Sequence, residues 1–420
     1  MSKFERVHKI SRRASFATLA ALVAAPLVWT AGPAAAEMKE VKIVLIAPLS
    51  GPWARQGQLM KLGADMAIDD INKSGGVKAL GGAKFKLIVA DAGDNAEKAK
   101  QAAQLVLSRH PDLIGGTGSW LSSFTLAVTE VTERAKLPWL TLSYSDKITE
   151  RGFRYVFQTS PTGGAQSRGS LPTIVALIKK YTGKAPTTAG IVMDNTAAPV
   201  SYSKALRGGA LKKAGLKLVV DQTFTPPLSD ASPIIQKVRS ARPQLLFLLA
   251  SNVPDDKLLL EKLAEFGLGR GRIPIVANGA HMGVPELLKV IAEPALLNGM
   301  MVVTANWGSK GQEALIARFE KRTGEPWLTQ DSISTYGDMM VFKWALEKVG
   351  KLDRTAVAEA IRTMDVKDGP AAYYPGGRLH FEKNGRRAGA PLVIVQWQNG
   401  KPQTIYPEGS ATAKPIWVKR

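Results

Sequence analysis

The chain has 420 residues, no cysteine and a formal charge of +21, with 56 basic and 35 acidic residues. The absence of cysteine excludes disulfide bonds and a lipid-modified cysteine anchor, so a hydrophobic core must hold the fold. The basic residues are spread along the chain without a run of five or more, which favours a basic soluble surface over a nucleic-acid-binding segment. Such a surface can still steer anionic solutes toward the protein.

The first 36 residues have the pattern of an export signal. A basic start is followed by an apolar segment at 16–29 and by the small residues 34–36, which predicts Glu37 as the mature N-terminus. The apolar segment is shorter than the roughly 20 residues that span a membrane. The alternative is a membrane anchor. We expect a soluble periplasmic protein with a net charge of +17, exported by the Sec route or, because of Ser11-Arg12-Arg13, by the twin-arginine route.

The mature chain begins with a strand, a turn and a helix. The apolar run 41–47 predicts a buried strand, and 48–52 is a turn rich in proline, glycine and serine. An amphipathic helix follows and ends at Gly75-Gly76. Its apolar stripe consists of Leu59, Leu62, Met66, Ala67 and Ile71. This is the first unit of an α/β sheet, and open α/β sheets bind ligands at the carboxyl ends of their strands.

Strands and helices alternate through the middle of the chain, which predicts parallel sheets with helices on both faces. The further predicted strands are 85–91, 112–115, 137–142, 189–194, 216–224, 244–250, 273–278 and 299–305. Predicted helices include 96–108, 124–135, 203–214 and 257–266. Near the C-terminus, 378–383 and 391–398 read as two antiparallel strands around the turn Asn384-Gly385.

Several motifs occur in an order and spacing that identify a family. They are Pro48-Leu49-Ser50-Gly51-Pro52, Gly63-Ala64, Asp69-Asp70-Ile71-Asn72, Gly115-Gly116, Ser122-Ser123, Leu137-Pro138 and Ser143-Tyr144-Ser145. With them the chain resembles the branched-chain amino acid class of ABC-importer substrate-binding proteins, the Leu/Ile/Val-binding family with the type I periplasmic-binding fold.

The resemblance implies two Rossmann-like lobes joined by three crossover strands and closing on a ligand. The crossovers are expected near 157–161, 303–307 and 370–377. Lobe 1 would comprise 37–158 with 304–372, and lobe 2 would comprise 159–303 with 373–420.

The family's ligand site maps first onto Ser122 and Ser123, where relatives hold the ligand's carboxylate. Independently of the resemblance, free N–H groups and the helix dipole make the start of the following helix an anion site. The alternative is a serine that caps only its own helix. The resemblance also places Ser143, Tyr144 and Ser145 in a ligand-contacting loop, with an ordinary polar turn as the alternative. Trp53 and Gln56 lie in the first loop, where relatives contact the ligand's side chain.

The second lobe departs from the amino acid binders, which hold the ligand's ammonium group with a carboxylate and a tyrosine. The matching loops, 278–281 and 250–252, contain no acid and no tyrosine, although they offer Asn252 and His281. A buried ammonium without a negative partner is costly. We therefore expect a ligand without an α-ammonium group: an aromatic or aliphatic carboxylate, or an amide. An aromatic-lined pocket could come from Trp53, Trp120, Tyr144, Tyr202 and His281, each of which could instead be a core residue.

The sequence contains no complete enzymatic motif. The glycine-rich 115–119 lacks the spacing of a dinucleotide fingerprint and the lysine of a P-loop, and no Gly-x-Ser-x-Gly elbow or paired-histidine motif occurs. Turn and cap roles explain Asp91 and Asp94 better than a metal pair does. We expect a monomeric, non-enzymatic receptor without metal, cofactor or nucleic acid, serving an inner-membrane permease with its ATPase subunits. The alternative is a ligand sensor that signals by the same closure.

Overall fold

The structure, a computed structural model, describes residues 40–417. The predicted export signal lies outside these residues. No helix among the described residues is long and apolar enough to cross a membrane.

A first sheet is built from the N-terminal part of the chain. Its five parallel strands have the spatial order β2-β1-β3-β4-β5. They are β1 (Glu40–Ala47), β2 (Lys84–Asp91), β3 (Gly115–Gly118), β4 (Trp139–Thr141) and β5 (Val156–Gln158). The apolar run at 41–47 is almost entirely buried, as expected for a strand covered on both faces.

A second sheet has seven strands in the order β14-β13-β10-β9-β8-β6-β7. Five are parallel: β6 (Thr188–Asp194), β7 (Lys217–Phe224), β8 (Leu245–Leu249), β9 (Ile275–Asn278) and β10 (Met301–Thr304). β13 (Val393–Gln398) and β14 (Lys401–Tyr406) add an antiparallel edge. The two sheets with their helices confirm the predicted α/β fold.

Twelve α-helical segments accompany these strands in the described part of the chain. They are α1 (Ala54–Lys73), α2 (Ala96–Arg109), α3 (Ser122–Arg134), α4 (Gly163–Thr182), α5 (Ala197–Ala205), α6 (Leu211–Lys213), α7 (Ser232–Ala241), α8 (Val253–Glu265), α9 (Pro285–Val290), α10 (Glu313–Thr323), α11 (Gln330–Val349) and α12 (Arg354–Arg362).

The predicted C-terminal hairpin is wrong in its pairing. β12 (Leu379–His380) pairs with β11 (Asp365–Val366), whereas β13 pairs with β10 and β14. The turn at Asn384-Gly385 closes only a short loop, in which Phe381 and Arg387 form a single antiparallel β-bridge. The apolar run of β13 is buried and completes the second core, which a short hairpin could not do.

Helix α11 crosses α1 at very close range. A side-chain Cβ at Gly63 would lie 2.0 Å from the backbone oxygen of Ser332. The hydroxyls of Ser332 and Thr335 donate to the backbone oxygens of Leu59 and Met60. This crossing fixes the start of α11, which carries Gln330 and Asp331.

Candidate functional site

A small cavity lies where strands of both sheets end. Its volume, measured for the centre of a water-sized sphere, is about 40 Å³. The polar and aromatic residues on its wall are Trp120, Ser122, Ser143, Tyr144, Thr196, Ser251, Asn278, His281 and Gln330. The location agrees with the expectation that ligands bind at the carboxyl ends of parallel strands.

Ser122 presents a free hydroxyl hydrogen at this cavity. Its oxygen accepts the backbone N–H groups of Tyr144 (3.1 Å) and Ser145 (3.0 Å). A hydroxyl oxygen has two lone pairs, so with both engaged Ser122 can act toward a ligand only as a donor. Ser122 is also the first residue of α3, whose N-cap is Leu121, so it is not the plain capping serine of the alternative interpretation. The helix dipole adds positive potential at the same point.

Trp120 connects the two sides of the cavity. Its backbone has a positive φ of 49°, and its indole N–H donates to Asp331 Oδ1 at 2.9 Å. The ring meets that of His281 edge-to-face with centroids 5.9 Å apart. Trp120 therefore links α11 to the loop after β9.

His281 forms a buried ion pair with a carboxylate of α8. Its Nε2 lies 3.1 Å from Asp256 Oδ2, and both side chains are buried. Burial lowers the pKa of His281, but the carboxylates of Asp256, Asp194 and Asp331 offset this, and the net pKa is raised. The pKa of Asp256 is raised to about 6 by burial, against the charge of His281. Nδ1 of His281 has no hydrogen-bond partner among the described residues.

Gly279 makes room for this imidazole. Its φ is +122°, and a Cβ there would lie 2.7 Å from Nδ1 of His281. Only glycine meets both conditions without strain.

The side of the cavity formed by the second sheet presents hydroxyl oxygens as hydrogen-bond acceptors, and Asp194 orients these hydroxyls from behind. The hydroxyls of Ser251 and Thr196 both donate to the Asp194 carboxylate, which leaves their oxygens able to accept from a ligand. The amide nitrogen of Asn278 donates to Gln166 and to the backbone oxygen of Val303, so its carbonyl oxygen is the group left for a ligand.

Two carboxylates lie behind this side of the cavity. The loops themselves contain none, but Asp194 at the end of β6 and Asp256 in the first turn of α8 stand directly behind them. Neither carboxylate lines the cavity. The loop sequences do not reveal these two carboxylates, because Asp194 contacts the cavity wall only through Ser251 and Thr196, and Asp256 only through His281.

Three more of the predicted residues hold the cavity wall together. The hydroxyl of Tyr144 donates to Gln330 Oε1 at 2.6 Å, and the hydroxyl of Ser143 donates to the backbone oxygen of Trp120 at 2.7 Å. Trp53 does not line the cavity; its indole N–H donates to the backbone oxygen of Ser251 at 2.9 Å.

The remaining predicted residues lie off the cavity. Ser123 is half-buried on α3, and Gln56 is buried on α1 with an Oε1 that has no hydrogen-bond partner within residues 40–417. The hydroxyl of Ser145 meets that of Ser201 at 3.3 Å. Asn252 is the N-cap of α8, where its side chain accepts from the backbone N–H of Asp255.

Tyr202 is a core residue rather than part of the cavity wall. It packs against Phe247 and shares a hydrogen bond of 3.0 Å with Ser170. The segment 195–202, which looks like a long loop in the sequence, is helical from Ala197, and this turns Tyr202 inward.

We expect Tyr202→Phe to leave solute affinity unchanged while lowering the free energy of unfolding by about 0.5 to 1.5 kcal/mol, the net value of one hydrogen bond. Calorimetric titration and urea unfolding of the same sample check both parts. A clear loss of affinity would return Tyr202 to the binding site.

Asp331 should make stability depend on pH. Burial raises its pKa to about 7, partly offset by the Trp120 hydrogen bond and by the charges of His281 and Arg55. Between pH 4 and 7 the folded chain keeps a proton that the unfolded chain has lost, so this group's contribution to stability falls as pH rises.

We expect Asp331→Asn, which can still accept from Trp120, to be more stable than the wild type at pH 8, by on the order of 1 to 3 kcal/mol, with the gain vanishing near pH 4. Urea midpoints at both pH values measure this. The exposed Asp368 is the matched control site, and Asp368→Asn should show no such difference. An equal gain in stability at both pH values would contradict the titration of Asp331 in this range.

No group of three or more histidine, aspartate or glutamate side chains within residues 40–417 is arranged to hold a metal ion.

The fold places a cavity where the strands of two α/β sheets end. Residues 40–402 match the family described as "Periplasmic binding protein", so the chain belongs to this family. The Leu/Ile/Val-binding protein homolog 7 of Brucella melitensis is 29% identical over 409 residues, covering 94% of this chain and 98% of that protein. Homolog 8 from the same organism is 26% identical, covering 90% and 93%. The predicted resemblance is thereby confirmed.

Solved structures agree on the fold. The leucine-binding protein LivK of Thermotoga maritima gives a TM-score of 0.73 at 20% identity, covering 87% of this chain and 97% of that one. A Rhodopseudomonas palustris solute-binding protein of an ABC transporter, in complex with 3,4-dihydroxybenzoic acid, gives a TM-score of 0.70 at 19% identity. The match covers 86% of this chain and 95% of that one. At such identities the likeness concerns the fold alone.

Proposed function

We propose that the chain is the periplasmic receptor of an ABC importer and captures a small carboxylate-bearing solute in this cavity. The Ser122 hydroxyl carries the proposal, because its two accepted N–H bonds leave only its hydrogen for a ligand. The relatives' names and the ABC-transporter neighbours support the transport role. Export to the periplasm and a monomeric state belong to the same proposal.

The solute's second polar group would be a neutral donor. Opposite Ser122 the wall offers the oxygens of Ser251, Thr196 and Asn278, which suit a hydroxyl or amide N–H. An α-ammonium would find no carboxylate on the cavity wall, although Asp194 lies one hydrogen bond behind. The pKa of His281 is raised beside Asp256, and a protonated His281 would add a second positive group near the carboxylate. The solute is therefore proposed to be a small hydroxy- or amide-bearing carboxylate, or a simple aromatic or aliphatic acid, rather than a free amino acid.

The two lobes would be the two sheets with their helices, divided as the sequence suggested except at the third crossing. The chain would cross between them after β5, after β10 and once more before β13. The backbone N–H of Gln158 donates to the backbone oxygen of Gly385 (2.8 Å), and the backbone oxygen of Gln158 accepts from the N–H of Arg387 (3.0 Å). These bonds support a third crossing between 388 and 392, later than the sequence suggested.

Closure would follow from contacts that join the lobes around the solute. The Trp53–Ser251 bond is one, and the backbone N–H of Asp146 donating to Ser201 Oγ (3.2 Å) is another. In solution the solute would shift the population toward the state in which such contacts form.

A calorimetric titration of the chain from Glu37 to Arg420 tests the proposal. The panel contains leucine, valine and phenylalanine, and the matched acids without the amino group: 4-methylpentanoate, 3-methylbutanoate and 3-phenylpropanoate. Binding of acids without binding of their amino acid partners is the expected result. Micromolar binding of leucine or valine would keep the receptor and overturn the missing-ammonium assignment, while binding of none of the six compounds would argue against the receptor role.

A further inference from the structure

A large groove on the surface, separate from the cavity, has no place in solute binding. Its volume is about 1230 Å³, above the roughly 300–1000 Å³ of small-molecule pockets. One wall is formed by α4 and by residues 200–214, and the other by residues 146–150 with Arg386. This size suits a segment of polypeptide better than a small solute.

The groove is strongly basic. Six cationic side chains line it, against the two acids Asp146 and Glu150. The cations are Lys147, Arg168, Lys179, Lys204, Lys213 and Arg386. None of the six is within 4.0 Å of a carboxylate oxygen of the described chain. Asp146 is occupied by Thr162 and by the N–H of Gly164. The groove therefore presents unneutralised positive charge.

Between the cations the surface is apolar. Pro172, Val175 and Ala176 of α4 form one strip, and Val200, which is 40% exposed, lies on the same wall. Gly208 and Gly209 leave open space, since a Cβ on either would meet nothing within 4 Å. A partner with apolar side chains could enter here.

The groove takes residues from both proposed lobes. Residues 146–150 and Arg386 pack with the first sheet, whereas α4 and residues 200–214 pack with the second. The two walls meet where Ser201 Oγ accepts from the N–H of Asp146 and contacts Ser145 Oγ. Its width therefore depends on how the lobes are arranged.

We propose that this groove is a docking surface for an acidic, partly apolar segment of a protein partner, and that it is complete only when the lobes are closed. The inference rests on the proposed function, in which that partner is the membrane permease. Charge complementarity selects the acidic segment, and the concave shape favours a protein segment over a flat lipid surface. A partner that docks here would distinguish loaded from unloaded receptor.

The test compares two double variants with the same change in charge. Lys204→Glu with Lys213→Glu alters the groove, and Lys217→Glu with Lys237→Glu alters exposed lysines outside it. The probe is a fluorescent twelve-residue peptide of repeated Glu-Leu-Glu, titrated with and without saturating solute at about 0.15 M salt, where long-range attraction is screened. Solute affinity of each variant is measured separately, which keeps failure of the receptor role distinguishable from failure of the docking surface.

We expect the peptide to bind the loaded wild type and the control at least tenfold more tightly than the groove variant, with the solute affinity equal in all three. Removing the solute should weaken peptide binding to the wild type. Equal losses in both double variants, or peptide binding that ignores the solute, would overturn the proposal. The proposal would also be overturned if the wild type, but not the groove variant, bound phosphatidylglycerol vesicles while neither bound the peptide. That result would assign the surface to lipid binding.

Discussion

Ser122→Ala should weaken binding of the solute by roughly 10- to 150-fold, because a hydrogen bond to a charged group contributes about 1.5 to 3 kcal/mol. The substitution removes the hydroxyl that faces the cavity and also the acceptor of the Tyr144 and Ser145 N–H groups. Those two N–H groups orient the loop after β4, so part of the loss would come from a less ordered cavity wall. Calorimetric titration with the best carboxylate of the panel measures the change.

Ser123→Ala is the matched control. Ser123 is the next residue of the same helix, is half-buried, and does not line the cavity. Its removal should change affinity by less than about twofold, since it has no ligand contact to lose. Equal losses in both variants would mean that the helix start, and not the Ser122 hydroxyl, carries the effect. An unchanged affinity in Ser122→Ala would contradict the proposed anchor.

Gly63→Ala should be strongly destabilising for so small a substitution. The added methyl would lie 2.0 Å from Ser332 O and 2.6 Å from Thr335 Oγ1, so α1 and α11 would have to move apart. Overpacking of this kind costs about 1 to 3 kcal/mol and occasionally more. The nearest atoms belong to the Ser332 backbone, which cannot rotate away as a side chain can, so we expect a cost at the upper end of this range. Because α11 carries Gln330 and Asp331 to the cavity, solute affinity should fall as well.

Urea unfolding of Gly63→Ala beside Gly409→Ala measures this effect. Gly409 has an ordinary φ and open space around its Cβ position, so its substitution should be close to neutral. A midpoint for Gly63→Ala within error of the wild type would show that the two helices are not held at the distance described.

The sequence predicted the sheets well because their strands are short apolar runs between turns. Ser122 and Tyr144 were placed by the family resemblance, and both lie on the cavity wall. Thr196, Ser251 and Asn278 also lie on the wall, at the ends of β6, β8 and β9, but their loops carry no motif that singled them out.

The residues that were missed reach the site through tertiary packing. Asp331 lies 211 positions from its partner Trp120, on a helix that is buried nearly all round and so has no amphipathic stripe. Asp256 meets His281 from the first turn of another helix. Tyr202 was misassigned because α5 begins at Ala197 rather than at 203. Shifts of this size in a helix start reverse which side chains face the core.

The central claim, that a solute closes two lobes around this cavity, can be tested by distance. The chain has no cysteine, so Gln101→Cys and Gln236→Cys would place one spin label on α2 and one on α7 without background. Double electron–electron resonance should then show a broad distance distribution without solute and a single narrow one at saturation. The same distribution with and without a solute that calorimetry shows to be bound would contradict closure.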